Sequence, residues 1–145
     1  MTLLDGSLGF LLARTARSMK RALEARLSAY DITVSQYIVL TLLSADDGIS
    51  LSKLGHRLYF DNPTITGIVD RMERDGFIER RRIADDRRVI NVFLKPRGRK
   101  LLRSIEGIAD DVNRQALVEF PKSDQEKFLT ILNSIWKKMN GNHSR

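Results

Sequence analysis

The side chains able to do chemistry in this chain are mostly arginines, small hydroxyls and scattered carboxylates. Cysteine is absent, which removes structural disulfides and thiol-based redox sensing. The two histidines, His56 and His143, lack companions at any of the usual metal-ligand spacings, so neither a metal nor another cofactor is expected. No Ser/His/acid or Cys/His set and no glycine-rich phosphate loop occurs. Asp46-Asp47 and Asp110-Asp111 read as helix-end or surface pairs, so an enzyme is not expected. What remains is recognition chemistry. The formal charge is +7, and residues 77–100 hold nine Arg/Lys against three acids, leaving the rest of the chain nearly neutral. A positive field this local suits a polyanionic partner, with a phosphate backbone as the first candidate.

The element before this basic stretch has the marks of a helix over residues 62–76. Asn62 is suited to the N-cap, Pro63 to the first helical position and Gly76 to a left-handed stop. Ile65, Ile68, Val69 and Met72 give it one apolar face. Thr64, Thr66, Arg71 and Arg74 occupy the other. After Gly76 the hydrophobic period falls from about 3.6 to 2, with Ile90, Val92 and Leu94 alternating as in a half-buried strand. A capped helix followed by a basic hairpin is the outline of a winged helix. Arg80, Arg81 and Arg82 cannot all face one ligand, because neighbours on a strand point to opposite sides.

The other elements are helical. Residues 6–29 form a long helix with Leu8, Leu12, Ala16, Met19, Leu23 and Leu27 along one face. Thr33 and Gln36 make a capping box that opens a second helix through Leu40 and Leu43, stopped at Asp46-Asp47-Gly48. Ile49 supplies a one-residue piece of sheet, and Ser50 caps a third helix carrying Leu51, Leu54 and Leu58. Pro96 starts a helix lined by Leu101, Ile105, Ile108, Val112, Ala116 and Phe120. Pro121 interrupts it, and a second capping box at Ser123 and Glu126 opens a last helix with Phe128, Ile131, Leu132, Ile135 and Met139, flanked by Trp136. Residues 141–145 are expected to fray.

The predicted class is mainly α, one domain over residues 1–145 with a winged helix-turn-helix at 32–98. The flanking segments, 1–31 and 99–145, carry apolar stripes longer than a small core requires, which predicts a homodimer interface; the alternative is that they fold back on the winged helix. No run of about 18 apolar residues exists, so no membrane span is expected. The N-terminus places an acid before its apolar part and arginines after it, the reverse of a secretory signal, so a cytoplasmic protein is expected, and a phosphate-backbone partner would make it nucleoid-associated.

At this level of detail the sequence resembles the MarR family of bacterial transcriptional regulators. The family's wing pattern, Asp-x-Arg-x-x-x-Val-x-Leu-Thr-x-x-Gly, is matched by Asp86, Arg88, Val92, Leu94 and Gly98. Residues 64–73 are similar to its recognition helix and residues 32–37 to the opening of its second helix. Two positions depart from it. Lys95 stands where Thr is usual, leaving Pro96 to define the next helix without a hydroxyl cap, and Gly67 stands where many members carry Arg.

The resemblance implies a homodimer of six-helix chains, with the hairpin between the fourth and fifth helices, binding a pseudopalindromic double-stranded operator. It implies that Asn62, Pro63, Thr64, Thr66 and Gly67 present the recognition helix to DNA. Pro63, Thr64 and Thr66 are assigned to bases or methyl groups, and the helix N-terminus favours phosphate. Arg71 serves a phosphate or guanine edge, or else pairs with Asp75. Arg88 resembles the family's minor-groove arginine, oriented by Asp86, with Arg87 on phosphate. A repressor released by an aromatic acid or aryl-CoA effector is the expected function, with an effector-independent architectural or counter-silencing protein as the alternative. Phe10, Arg14 and Tyr37 are the candidate effector lining, their other reading being core packing and a solvated arginine.

Overall fold

The computed structural model describes residues 3–82 and 85–141. It divides into two compact units, one ending at Ile108 and one beginning at Ala109. The elements run α1 (Leu8–Leu27), α2 (Val34–Ala45), α3 (Leu51–Leu58), α4 (Asn62–Arg74), β1 (Ile78–Arg81), β2 (Asn91–Leu94), α5 (Pro96–Ile105), α6 (Ile108–Leu117) and α7 (Lys122–Gly141). Of the expected tail 141–145, Gly141 ends α7, and residues 142–145, His143 among them, lie outside the described residues.

The first unit is a mainly helical winged helix, as expected. Leu27, Leu40, Leu43, Leu54, Ile65, Val69, Met72, Ile78, Val92 and Ile105 are fully buried in one cluster. Each such side chain is worth about 1.5–3 kcal/mol of transfer free energy. α2 opens with the predicted capping box, Gln36 N donating to Thr33 Oγ1 at 3.1 Å and Thr33 N to Gln36 Oε1 at 3.0 Å. Ser50 caps α3, accepting from Lys53 N at 3.2 Å. α4 stops at Gly76, φ 81°. There the N–H groups of Gly76 and Phe77 donate back to Glu73 O and Met72 O, each at 3.0 Å, a Schellman closure that turns the chain directly into β1.

β1 and β2 pair antiparallel in the register Ile78↔Leu94, Glu79↔Phe93, Arg80↔Val92 and Arg81↔Asn91. Val92 and Leu94 are buried, so Ile78 and Arg80 share their inward face while Glu79 and Arg81 face outward. The one-residue piece of sheet forms, but its bridge is Ser50↔Asn91. Ile49 lies beside it and accepts from Val92 N at 2.9 Å.

Four expectations are corrected. The N-cap of α4 is Asp61, extended at φ −68°, ψ 164°, with its carboxylate accepting from Thr64 N at 2.8 Å. Asn62 is already helical and Pro63 is one position further in than predicted. The long helix after Pro96 is broken: Glu106 leaves the helical region at ψ 132° and Gly107 turns left-handed at φ 84°, giving three helices after the wing where two were expected. The box at Ser123 does not open the last helix, because Pro121 O already accepts from Asp124 N and Gln125 N. Gln125 Nε2 instead donates to Leu117 O and Phe120 O, both at 2.9 Å, satisfying carbonyls at the end of α6. The first helix is Leu8–Leu27, capped by Ser7, with single 3-10 turns on either side.

Candidate nucleic-acid interface

The first turns of α4 and the wing meet at one surface. Asn62, Ile65 and Thr66 from α4, Ser50 to Ser52 at the start of α3, and Arg88, Val89 and Ile90 from the wing line a groove of about 270 Å³. Pro63 and Thr64 lie exposed on the same turn, and Gly67 has open space where a side chain would be. The predicted residues Asn62, Thr66 and Arg88, distant in sequence, are thereby brought to one groove.

The helix start is a poorer phosphate site than expected. Pro63 has no N–H, and the N–H groups of Thr64 and Ile65 donate to the Asp61 side chain and backbone. Hydrogen bonding from Thr64 holds the Asp61 carboxyl below the usual carboxylate range, so a negative charge already sits at the positive end of the helix.

The wing arginines have divided roles. Asp86 Oδ1 accepts from Arg88 N at 3.0 Å and from Arg88 Nε at 3.1 Å. These bonds, backbone first, hold the Asp86 carboxyl below its usual range. They hold Arg88 through its backbone N and Nε, and its side chain remains 91% exposed. Arg87 is exposed and has no ion pair among the described residues. Arg81 stacks over the Phe93 ring at 3.9 Å and pairs with Glu79 at 2.9 Å on the outer face.

Arg80, on the inward face, turns to α4. Its Nη2 lies 2.7 Å from Asp70 Oδ1 and 3.0 Å from Glu73 Oε1, while its backbone N donates to Glu73 Oε2 at 2.7 Å. Sequence reasoning missed this cluster, because Arg80 is turned inward by its pairing with Val92 across the hairpin. Arg71 is exposed and its alternative pair with Asp75 is absent; Arg74 Nε is the nearer group, at 4.0 Å. Asp47, expected as a helix-end or surface acid, pins the root of the wing by accepting from Leu94 N at 2.8 Å and Arg99 Nη2 at 2.7 Å.

The side-chain and backbone hydrogen bonds of Arg80 hold the Glu73 carboxyl below its ordinary value of 4.5. A carboxylate with a depressed folded-state pKa contributes stability that is complete above the ordinary value and disappears as pH falls through the lowered one. Thermal unfolding followed below pH 4.5 should therefore show a steeper loss for the wild type than for Glu73→Gln. Parallel curves would mean that the pair adds nothing to folding.

The candidate effector residues are not gathered in one place. The Arg14 guanidinium lies 5.6 Å from the Phe10 ring centre and 3.7 Å from Asp5. Tyr37 lines a different groove, about 320 Å³, with Thr41, Ser44, Leu102, Arg103, Ile105, Glu106 and Gly107. Neither Phe10 nor Arg14 lines that groove. No helix among the described residues is long and apolar enough to cross a membrane.

Comparison with known proteins agrees with this architecture. The MarR family model matches residues 32–90. The HTH-type transcriptional regulator TtmR of Methylorubrum extorquens strain PA1 is 35% identical over 98 residues, 68% of this chain, and the chain spans half of that relative's length. The crystal structure of a probable transcriptional regulator from Pseudomonas aeruginosa is similar at TM-score 0.80 and 32% identity, covering 91% of this chain and 98% of that one. The S. aureus MepR–DNA complex shares the fold at TM-score 0.86 and 24% identity, with coverage of 91% and 98%. In its winged helix, its wing motif and these likenesses, the chain belongs to the MarR family.

Proposed function

We propose that this protein is a sequence-specific regulator of transcription that binds double-stranded DNA as a homodimer. The observation that carries the reading is the shared groove: the exposed start of α4 and Arg88 of the wing line one surface, an arrangement that suits a helix in a major groove with a wing in the adjacent minor groove. Thr64 and Thr66 are the base-reading residues, with Asn62, Pro63 and the open Gly67 allowing close approach. Arg71 and Arg87 bind phosphate. Thr64→Ala is expected to lower discrimination by on the order of 1 kcal/mol at one base pair. A binding-site selection giving identical preferences for mutant and wild type would remove Thr64 from base contact.

The homodimer is supported by α7, where Phe128, Leu129, Ile131, Trp136 and Met139 are each about half exposed or more. A stripe of that size is covered by a second copy. Two-fold symmetry then sets the recognition helices roughly 34 Å apart on a pseudopalindrome.

The finer reading is a repressor released by an aromatic acid or aryl-CoA thioester. The groove holding Tyr37 and Arg103 offers a ring beside a guanidinium, and the Phe10 and Arg14 stack is the second candidate lining. Such a ligand weakens DNA binding only by preferring a dimer with wrongly spaced helices. Gel shifts on duplexes from upstream of its own and adjacent genes, with and without aromatic acids and aryl-CoA thioesters, test both parts. Retarded bands that these compounds release are expected. Absence of any specific band contradicts the function, and bands insensitive to every compound favour an effector-independent protein.

A further inference from the structure

The geometry points to Arg80 as a positioning residue for DNA recognition, one that makes no DNA contact itself and fixes α4 against the wing so that both can engage one duplex. This rests on the DNA-binding function proposed above.

The strand register places Arg80 opposite Val92, on the buried side of the hairpin. A guanidinium there cannot enter the apolar core without partners. Asp70 and Glu73, one helical turn apart on α4, receive it. Glu73 is doubly engaged, one oxygen holding the Arg80 backbone N–H at 2.7 Å and the other the side chain at 3.0 Å. The bridge therefore couples the position of α4 to the main chain of β1 as well as to a side chain. The Arg80 side chain is only 27% exposed, against 91% for Arg88 in the connection between the strands.

The bridge also has an electrostatic role. Asp70 and Glu73 are carboxylates on the recognition helix, and without a cation between them they would oppose the approach of a phosphate backbone. Arg80 offsets one of these two charges in place while fixing the angle of the helix. Lysine reproduces this only in part: Nη2 alone reaches both acids, but the second contact to Glu73, from Nε at 3.3 Å, has no counterpart in an ammonium.

The test separates positioning from direct contact. The probe is a duplex selected by the wild-type full-length protein from a random pool, compared with a scrambled duplex of equal length and composition, across a salt series. Arg80→Ala is expected to lose at least about tenfold of the preference for the selected duplex. Its slope of log K against log salt should stay at the wild-type value, since no counterion-releasing contact is removed. Glu73→Gln removes the charge and one of the two acceptors from the acidic side of the bridge and is expected to show a loss in the same direction with the same slope. Because Glu73 cannot bind phosphate, this variant decides the matter if Arg80→Ala does not fold.

Arg80→Lys should fall between wild type and Arg80→Ala in preference. A slope reduced by about one in Arg80→Ala, with Glu73→Gln unchanged, would make Arg80 a phosphate ligand and overturn the inference. Wild-type preference in Glu73→Gln overturns it as well. If the wild-type protein enriches no duplex, the DNA-binding function itself fails and this inference falls with it.

Discussion

Gly98→Ala is expected to remove a large part of the folding stability. A Cβ at this position would stand 2.3 Å from Phe77 O and 3.2 Å from Phe77 C. Both are backbone atoms at the entry to β1, and Phe77 O cannot retreat freely because it accepts from Lys95 N at 2.9 Å. Overpacking of a core side chain ordinarily costs about 1–3 kcal/mol. With main chain on the receiving side and the wing attached to it, a cost at or above the top of that range is expected. Against a domain stability on the order of 5–15 kcal/mol, the urea midpoint should fall sharply. An unchanged midpoint would show that α5 does not sit this close to the root of the wing. The last glycine of the wing motif is thus explained by contact: Gly98 is buried in a regular helix and lets α5 cross over Phe77.

Arg88→Ala is expected to have the largest effect on DNA binding of any wing substitution. Of the wing arginines described, Arg80 and Arg81 are engaged within the protein, whereas Arg88 is held by Asp86 and remains exposed. Its loss should cost on the order of 1–3 kcal/mol of operator affinity and lower the salt slope by about one. Circular dichroism and thermal unfolding should remain those of the wild type, since the side chain packs against nothing buried. Unaltered affinity and slope would exclude Arg88 from the interface.

The parts of the fold legible from sequence are those whose signals are local. The Thr33 and Gln36 box, the Ser50 cap and the Gly76 stop each operate within about one turn, and the change of period after Gly76 marks the hairpin. The choice between Asp61 and Asn62 was not legible, because both residue types suit an N-cap. Which one serves depends on where the chain leaves its extended conformation. The break at Gly107 was hidden for a related reason: Ile105, Ile108 and Val112 keep helical spacing across it, so periodicity alone sees one helix.

At the site, the division of the arginines depended on cross-strand pairing. Alternation said that Arg80 and Arg81 face opposite ways; only the pairing of Arg80 with Val92 said which way, and only the fold brought Asp70 and Glu73 beneath it. The Asp86 and Arg88 contact was legible through the resemblance of Asp-x-Arg to the family's wing pattern. Phe10, Arg14 and Tyr37 were grouped by chemistry alone, and the fold puts Tyr37 in a groove the other two do not line.

The central claim is that the start of α4 and the wing together read one half-site, duplicated by a second copy of the chain. Selection of bound duplexes from a random pool by the wild-type protein tests it most directly. Enrichment of a pseudopalindrome whose half-sites are centred about one helical turn apart, roughly 34 Å, is the expected result. Recovery of the unselected pool, or of a motif without two-fold symmetry, would contradict it.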